Sequence, residues 1–170
     1  MSYPVPGRGE SREILIPEQR LERQMLMIGL QLERGYVTRN AKETYKKDYI
    51  TSSGNNFDTI IRVCPKEPWM TGMTLEGRRQ NADTRSSMIV QYDISIDSGP
   101  RRVNLSRRIY GFGEVESSII TVVEGDNSYS FTLAGSAPGY ESGLNREAAI
   151  NLANHCISEA SNLFEGIPRR

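Results

Sequence analysis

Side chains that do chemistry are scarce in this chain: its 170 residues include one histidine and two cysteines. A mechanism that needs two imidazoles is therefore excluded. Two Cys and one His do not make a recognisable four-ligand zinc site. Cys64 and Cys156 are too few for a disulfide scaffold, and both are expected to be reduced thiols. A charge excess is also missing, because 21 Lys and Arg face 21 Asp and Glu. No net field then draws the chain to nucleic acid or to an anionic membrane. No apolar run approaches the roughly 18 residues that a membrane span needs. The N-terminus lacks the apolar h-region of a signal peptide, so a cytoplasmic chain with no membrane span is expected.

Catalytic motifs are missing as well. There is no calcium loop, no Walker A sequence and no nucleophile elbow. Gly111, Phe112 and Gly113 begin like a dinucleotide fingerprint, but the third glycine is absent and a strand pattern follows. No cofactor and no metal are expected. His155 lies on the polar side of a helix beside Cys156. Neighbours on a helix point about 100° apart, so the two do not form a nucleophile–base pair.

Structure, by contrast, is well marked. The C-terminal helix has Asn145 as its N-cap, with a side-chain oxygen that can accept from first-turn amides. Glu147 suits the positive end of the helix dipole. Ala149, Leu152, Ala153, Cys156, Ile157, Ala160, Leu163 and Phe164 form one apolar stripe. Leu152 and Phe164 are expected to be buried, and Asn151 and Glu159 exposed. Gly166 and Pro168 end the helix.

An N-terminal helix starts at Pro17, a favoured first helical residue. Leu21, Met25, Ile28 and Leu32 repeat at helical spacing, and Gly35 reads as the stop. Its middle, from Met25 to Leu30, is apolar nearly all round, which calls for cover on more than one side. Met25, Met27 and Leu30 are therefore candidate interface residues. Residues 1–12 read as a flexible arm, because Pro4, Pro6, Gly7 and Gly9 prevent regular structure. Residues 13–170 read as a single α+β domain, long enough to bury roughly 70% of its unfolded surface.

Strand patterns fill the middle. Asp58 to Cys64 reads as a short strand ended by Pro65. Thr71 to Asp83 fits either a strand and turn or a loop. Met88, Val90, Tyr92, Ile94 and Ile96 alternate with polar residues, as in a half-buried strand. Val103, Leu105 and Ile109 continue this inward set across a four-residue loop, Ser98 to Arg101. That loop sets Asp97 opposite Arg102. Arg107 then points to the apolar side, where it must sit at the rim or snorkel outward. Three-residue hairpins at Gly111 to Gly113 and Gly125 to Asn127 would pair Leu105 with Ile119, and Ile119 with Leu133. The fold expected is a four-stranded antiparallel meander with one or two extra short strands. An N-terminal and a C-terminal helix cover one of its faces.

Three functions compete on these grounds. The missing catalytic constellation, the over-apolar first helix and the Pro/Gly arm point away from an enzyme. They favour an interaction or assembly protein, a subunit of a larger complex or a self-associating chain, that contacts protein partners through its N-terminal arm and helix. The alternative is an enzyme or sensor that binds an anionic small molecule or nucleotide. A strand, a glycine-rich loop and a helix N-terminus can present free amides to an anion. The candidate ligand residues there are Gly135, Ser136, Gly139, Ser142, Gly143, Asn145 and Arg146. The weakest alternative is RNA binding through Arg102 and Arg108 on the wet face of the sheet. Lys42, Tyr45, Lys46, Lys47 and Tyr49 also interleave base with aromatics. Glu43 and Asp48 dilute that charge, and a solvated segment is the simpler reading.

Overall fold

The computed structural model describes residues 14–34, 57–81, 88–110, 114–135 and 140–164. Helix α1 spans Pro17–Glu33 and helix α2 spans Arg146–Asn162. Between them lie β1 (Phe57–Val63), β2 (Thr71–Asn81), β3 (Met88–Ser98), β4 (Arg101–Tyr110), β5 (Val115–Glu124), β6 (Asn127–Ala134) and β7 (Tyr140–Ser142). The strands form one sheet in chain order, and every neighbouring pair is antiparallel. The fold is thus α+β, but the sheet has seven strands and not four. The arm of residues 1–12, the Lys/Tyr stretch, Gly35 and the loop from Gly111 to Gly113 lie outside the described residues. Among the described residues, no helix is long and apolar enough to cross a membrane.

Alternation of the pleat explains the core. Two rows of apolar side chains cross the sheet on one face. Cross-strand pairing aligns Val63, Met73, Ile96, Val103, Val122 and Tyr129 in one row. The second row is Ile61, Leu75, Ile94, Leu105, Ile120 and Phe131. Leu21, Met25, Ile28 and Leu32 of α1 join the same core, as do Ala149, Ala153, Cys156, Ile157 and Ala160 of α2. Leu152 and Phe164 are only partly buried and pack at its margin. The small residues of α2 let its backbone lie close to the sheet. The two helices run in the same direction. Glu18 meets Arg146 near their N-terminal ends, and Ile28 and Gln31 share a groove with Ser161 and Phe164 near their C-terminal ends.

Register follows the turns. Ser98 pairs with Arg101 and Asp97 with Arg102, so the turn is the two residues Gly99 and Pro100. Asp97 Oδ1 accepts from Arg102 Nε at 2.6 Å. Glu124 pairs with Asn127, which makes Gly125 and Asp126 a two-residue turn rather than a three-residue one. Bulges shift the register between Arg108 and Ile109, and again between Ser118 and Ile119. Leu105 therefore pairs with Ile120, and Ile120 with Phe131; Ile119 lies on the other face, between Ser106 and Thr132. The expected pairs Leu105–Ile119 and Ile119–Leu133 do not form. An extra residue in one strand moves every later side chain to the opposite face.

Candidate interaction surface and the polar clusters under the helices

The glycine-rich stretch before α2 is largely occupied by the fold itself. Gly135 follows β6 with φ +98°. A Cβ there would lie 2.7 Å from the Glu116 carbonyl oxygen, so backbone geometry alone requires glycine. Gly143 has φ +86°, and a Cβ there would run into the Asn127 side chain. Ser142 ends β7 and is exposed. Asn145 Oδ1 accepts from the Ala148 amide at 2.8 Å, so this side chain is a helix cap. Arg146 donates to both carboxylate oxygens of Glu18, at 2.6 and 3.0 Å. The hydrogen bond from Arg146 holds the Glu18 carboxyl below its ordinary value. Ser136 and Gly139 lie outside the described residues. Asn145 and Arg146, two of the candidate ligand residues, thus act within the chain.

Two polar clusters tie the helices to the sheet. In the first, Glu22 of α1 reaches Arg107 Nη1 at 3.3 Å and accepts from Ser118 Oγ at 2.5 Å. Arg107 and Ser118 are cross-strand partners on the apolar face. Arg107 does not snorkel free. It stays four-fifths buried beside a carboxylate of similar burial, with side-chain exposures of 20% and 22%. Ser118 is wholly buried. A charge in that position needs a partner, and α1 supplies it.

The second cluster surrounds Glu159 of α2. Its Oε1 accepts from Ser98 Oγ at 2.7 Å and from Thr71 Oγ1 at 3.0 Å. His155 Nε2 lies 3.2 Å from the other oxygen, one helical turn back. Glu159 is therefore half-buried and engaged, not exposed. Burial works to raise its carboxyl, but the Ser98 and Thr71 hydroxyls, with His155 and Arg101 near, hold it below the ordinary value. Serine, carboxylate and imidazole do meet here, but in the wrong order for acyl transfer. A nucleophilic serine must hand its proton to the imidazole, with the carboxylate behind. Here the carboxylate stands between the two. Cys156 beside it is no nucleophile either, because burial and the Glu159 charge push its thiol up to about 11. Among the described residues no group of three or more His, Cys, Asp or Glu is placed to hold a metal.

The wet face of the sheet carries paired charges. Arg102 binds Asp97, and Arg108 stands 3.5 Å from Glu116. Each guanidinium thus has an acidic neighbour on the sheet itself, which dilutes the positive charge of this face.

The solvent side of α1 is different. Met25 is wholly buried, but Met27 is 54% exposed and Leu30 44%. The candidate interface therefore narrows to Met27 and Leu30. Met27 borders a groove of about 350 Å³ shared with α2, lined by Gln24, Ile28, Gln31, Ser161 and Phe164. Leu30 borders a second groove of about 150 Å³, lined by Leu26, Gly29, Glu33, Leu75, Tyr92 and Ile94. Gly29 lets the helix approach there, since a Cβ would stand 2.8 Å from Ile94. Arg20, Arg23 and Arg34 fall on the same helical face as Met27, at spacings of seven and four residues. Unlike Glu18 and Glu22, they form no ion pair within the described chain. Sequence periodicity found the helix but could not say which of its apolar residues the sheet would leave outside.

Compared with protein-family models, with curated proteins and with solved structures, the chain matches none.

Proposed function

We propose that this chain is a non-enzymatic interaction and assembly protein, a subunit of a larger complex, which contacts a protein partner through the solvent face of α1. The N-terminal arm is a second contact in this proposal. One observation carries it: Met27 and Leu30 stand exposed on a helix whose other large apolar side chains are packed, and each borders a groove. Exposed apolar side chains beside concave surface mark contact sites more often than single surface hydrophobes do. The polar clusters favour it too, since both are consumed in fixing helices to the sheet.

A photo-crosslinking side chain placed at position 27 and expressed in the cell of origin tests this. A discrete adduct with a protein is expected, and Leu30→Lys should abolish it. An adduct yield no higher than that from the same group at the exposed Asn151 of α2 would contradict it.

A further inference from the structure

The charge beside the groove identifies the partner's chemistry. Arg20, Arg23 and Arg34 flank Met27 on the solvent face of α1, and Glu33 is the one exposed acid of this helix. Glu18 and Glu22 are spent on Arg146 and Arg107. The groove between the helices is lined by the apolar Met27, Ile28 and Phe164 and by the uncharged Gln24, Gln31 and Ser161. Basic side chains along an apolar ridge and groove are complementary to an amphipathic helix whose polar flanks are acidic. Methionine at such a surface adapts to the side chains that enter.

Outside the described residues, no segment of the sequence carries an acidic excess. A second copy of α1 would bring arginines against arginines. Residues 35–56 carry Arg39, Lys42, Lys46 and Lys47 against Glu43 and Asp48, a net charge of +2 (4 − 2). The first 13 residues carry two bases and two acids, Arg8 and Arg12 against Glu10 and Glu13. Residues 165–170 add Arg169 and Arg170 against Glu165. None supplies acidic flanks.

We infer that the groove between α1 and α2 receives an acidic amphipathic helix of another protein, with an apolar residue seated beside Met27 and carboxylates on Arg20, Arg23 and Arg34. This rests on the α1 face being the interface. Nucleic acid would use the same arginines but has no use for the apolar ridge.

The probes are two synthetic helical peptides with leucines at i, i+3 and i+7. One has glutamates on its flanks and the other has lysines. Binding to the full chain is read by fluorescence polarisation at low and at physiological salt. The glutamate peptide should bind, more weakly as salt rises. The lysine peptide should bind at least about tenfold more weakly, a difference of about 1.4 kcal/mol. Met27→Asp and Arg23→Glu should each weaken the glutamate peptide by about tenfold or more. Both positions are on the surface, so unchanged thermal melts will separate lost binding from lost folding.

Equal affinity for both peptides would overturn the charge argument, as would binding of neither. Retention of a single-stranded RNA oligomer, unaffected by Met27→Asp, would assign the arginines to nucleic acid instead. A dimer in sedimentation that Met27→Asp dissociates would give the groove to a second copy. If position 27 crosslinks to a protein but neither peptide binds, the partner's chemistry is wrong and the interface stands. If the crosslink also fails, the interface itself is wrong.

Discussion

Removing Glu22 should damage this fold more than removing any exposed acid. Its carboxylate meets Arg107 at 3.3 Å and the Ser118 hydroxyl at 2.5 Å. Glu22→Ala leaves a guanidinium four-fifths buried without its counter-charge, and a hydroxyl with no solvent. Breaking a fully buried pair costs about 3–5 kcal/mol. This pair retains some solvent contact, and a hydrogen bond to a charged group contributes about 1.5–3 kcal/mol. A loss of about 2–3 kcal/mol is therefore expected. Ser118→Ala should cost about 1 kcal/mol, because the carboxylate keeps its arginine. Replacing both charges, as Glu22→Leu with Arg107→Met, should return most of the loss, since it leaves no unpaired buried charge. Urea melts of the single and double variants measure all of these values, provided the slope stays constant. A loss below about 0.5 kcal/mol for Glu22→Ala, typical of a free surface site, would refute the burial argument.

Other outcomes follow from the same geometry. Gly135→Ala should cost about 2 kcal/mol or more in a melt, from positive φ and the close Glu116 carbonyl, while Ser142→Ala stays within about 0.5 kcal/mol; equal tolerance would point away from a backbone role. With a thiol reagent at mildly alkaline pH, Cys64 should react in the folded chain and Cys156 only on unfolding; two fast thiols would contradict the buried position of Cys156. Acid stability should depend on Glu159 and Glu18, whose folded values lie below the ordinary 4.5. The folded chain then binds fewer protons than the unfolded one. Their contribution is fully present above 4.5 and is lost as the pH falls through the lower folded values. Glu159→Gln should flatten the pH dependence of stability in that range, and an unchanged slope would count against the Ser98 and Thr71 bonds.

Local signals in the sequence were strong where one residue type decides a position. Asn145 as a cap, Pro17 as a helix start and the Asp97–Arg102 pair across Gly99 and Pro100 were all legible. Strand β5 was not. Ile119 and Ile120 are neighbours, and so are Val122 and Val123, so alternation cannot tell the inner face from the outer. Only the turn lengths and bulges decide, and bulges carry no clear sequence mark here. Strand β2 hid for another reason: Gly72, Gly77 and Glu76 interrupt the run around Met73 and Leu75. The candidate surface was half legible. The apolar excess of α1 was plain, but Met25 and Met27 look alike until the sheet selects one of them. Arg107 reads as a polar residue at an inward position, but the expected register turns Ser118 outward and nothing marks Glu22, so nothing local said that the three meet.

Methionine oxidation offers the most direct test of α1 as an interface, because Met25 and Met27 lie on one helix with opposite exposure. Hydrogen peroxide labelling followed by mass spectrometry reads both in one peptide. In the purified chain Met27 should oxidise readily and Met25 only on unfolding. In the cell of origin Met27 should be protected as well, since a partner covers it. Equal labelling of Met27 in the purified chain and in the cell would mean that nothing sits on that face.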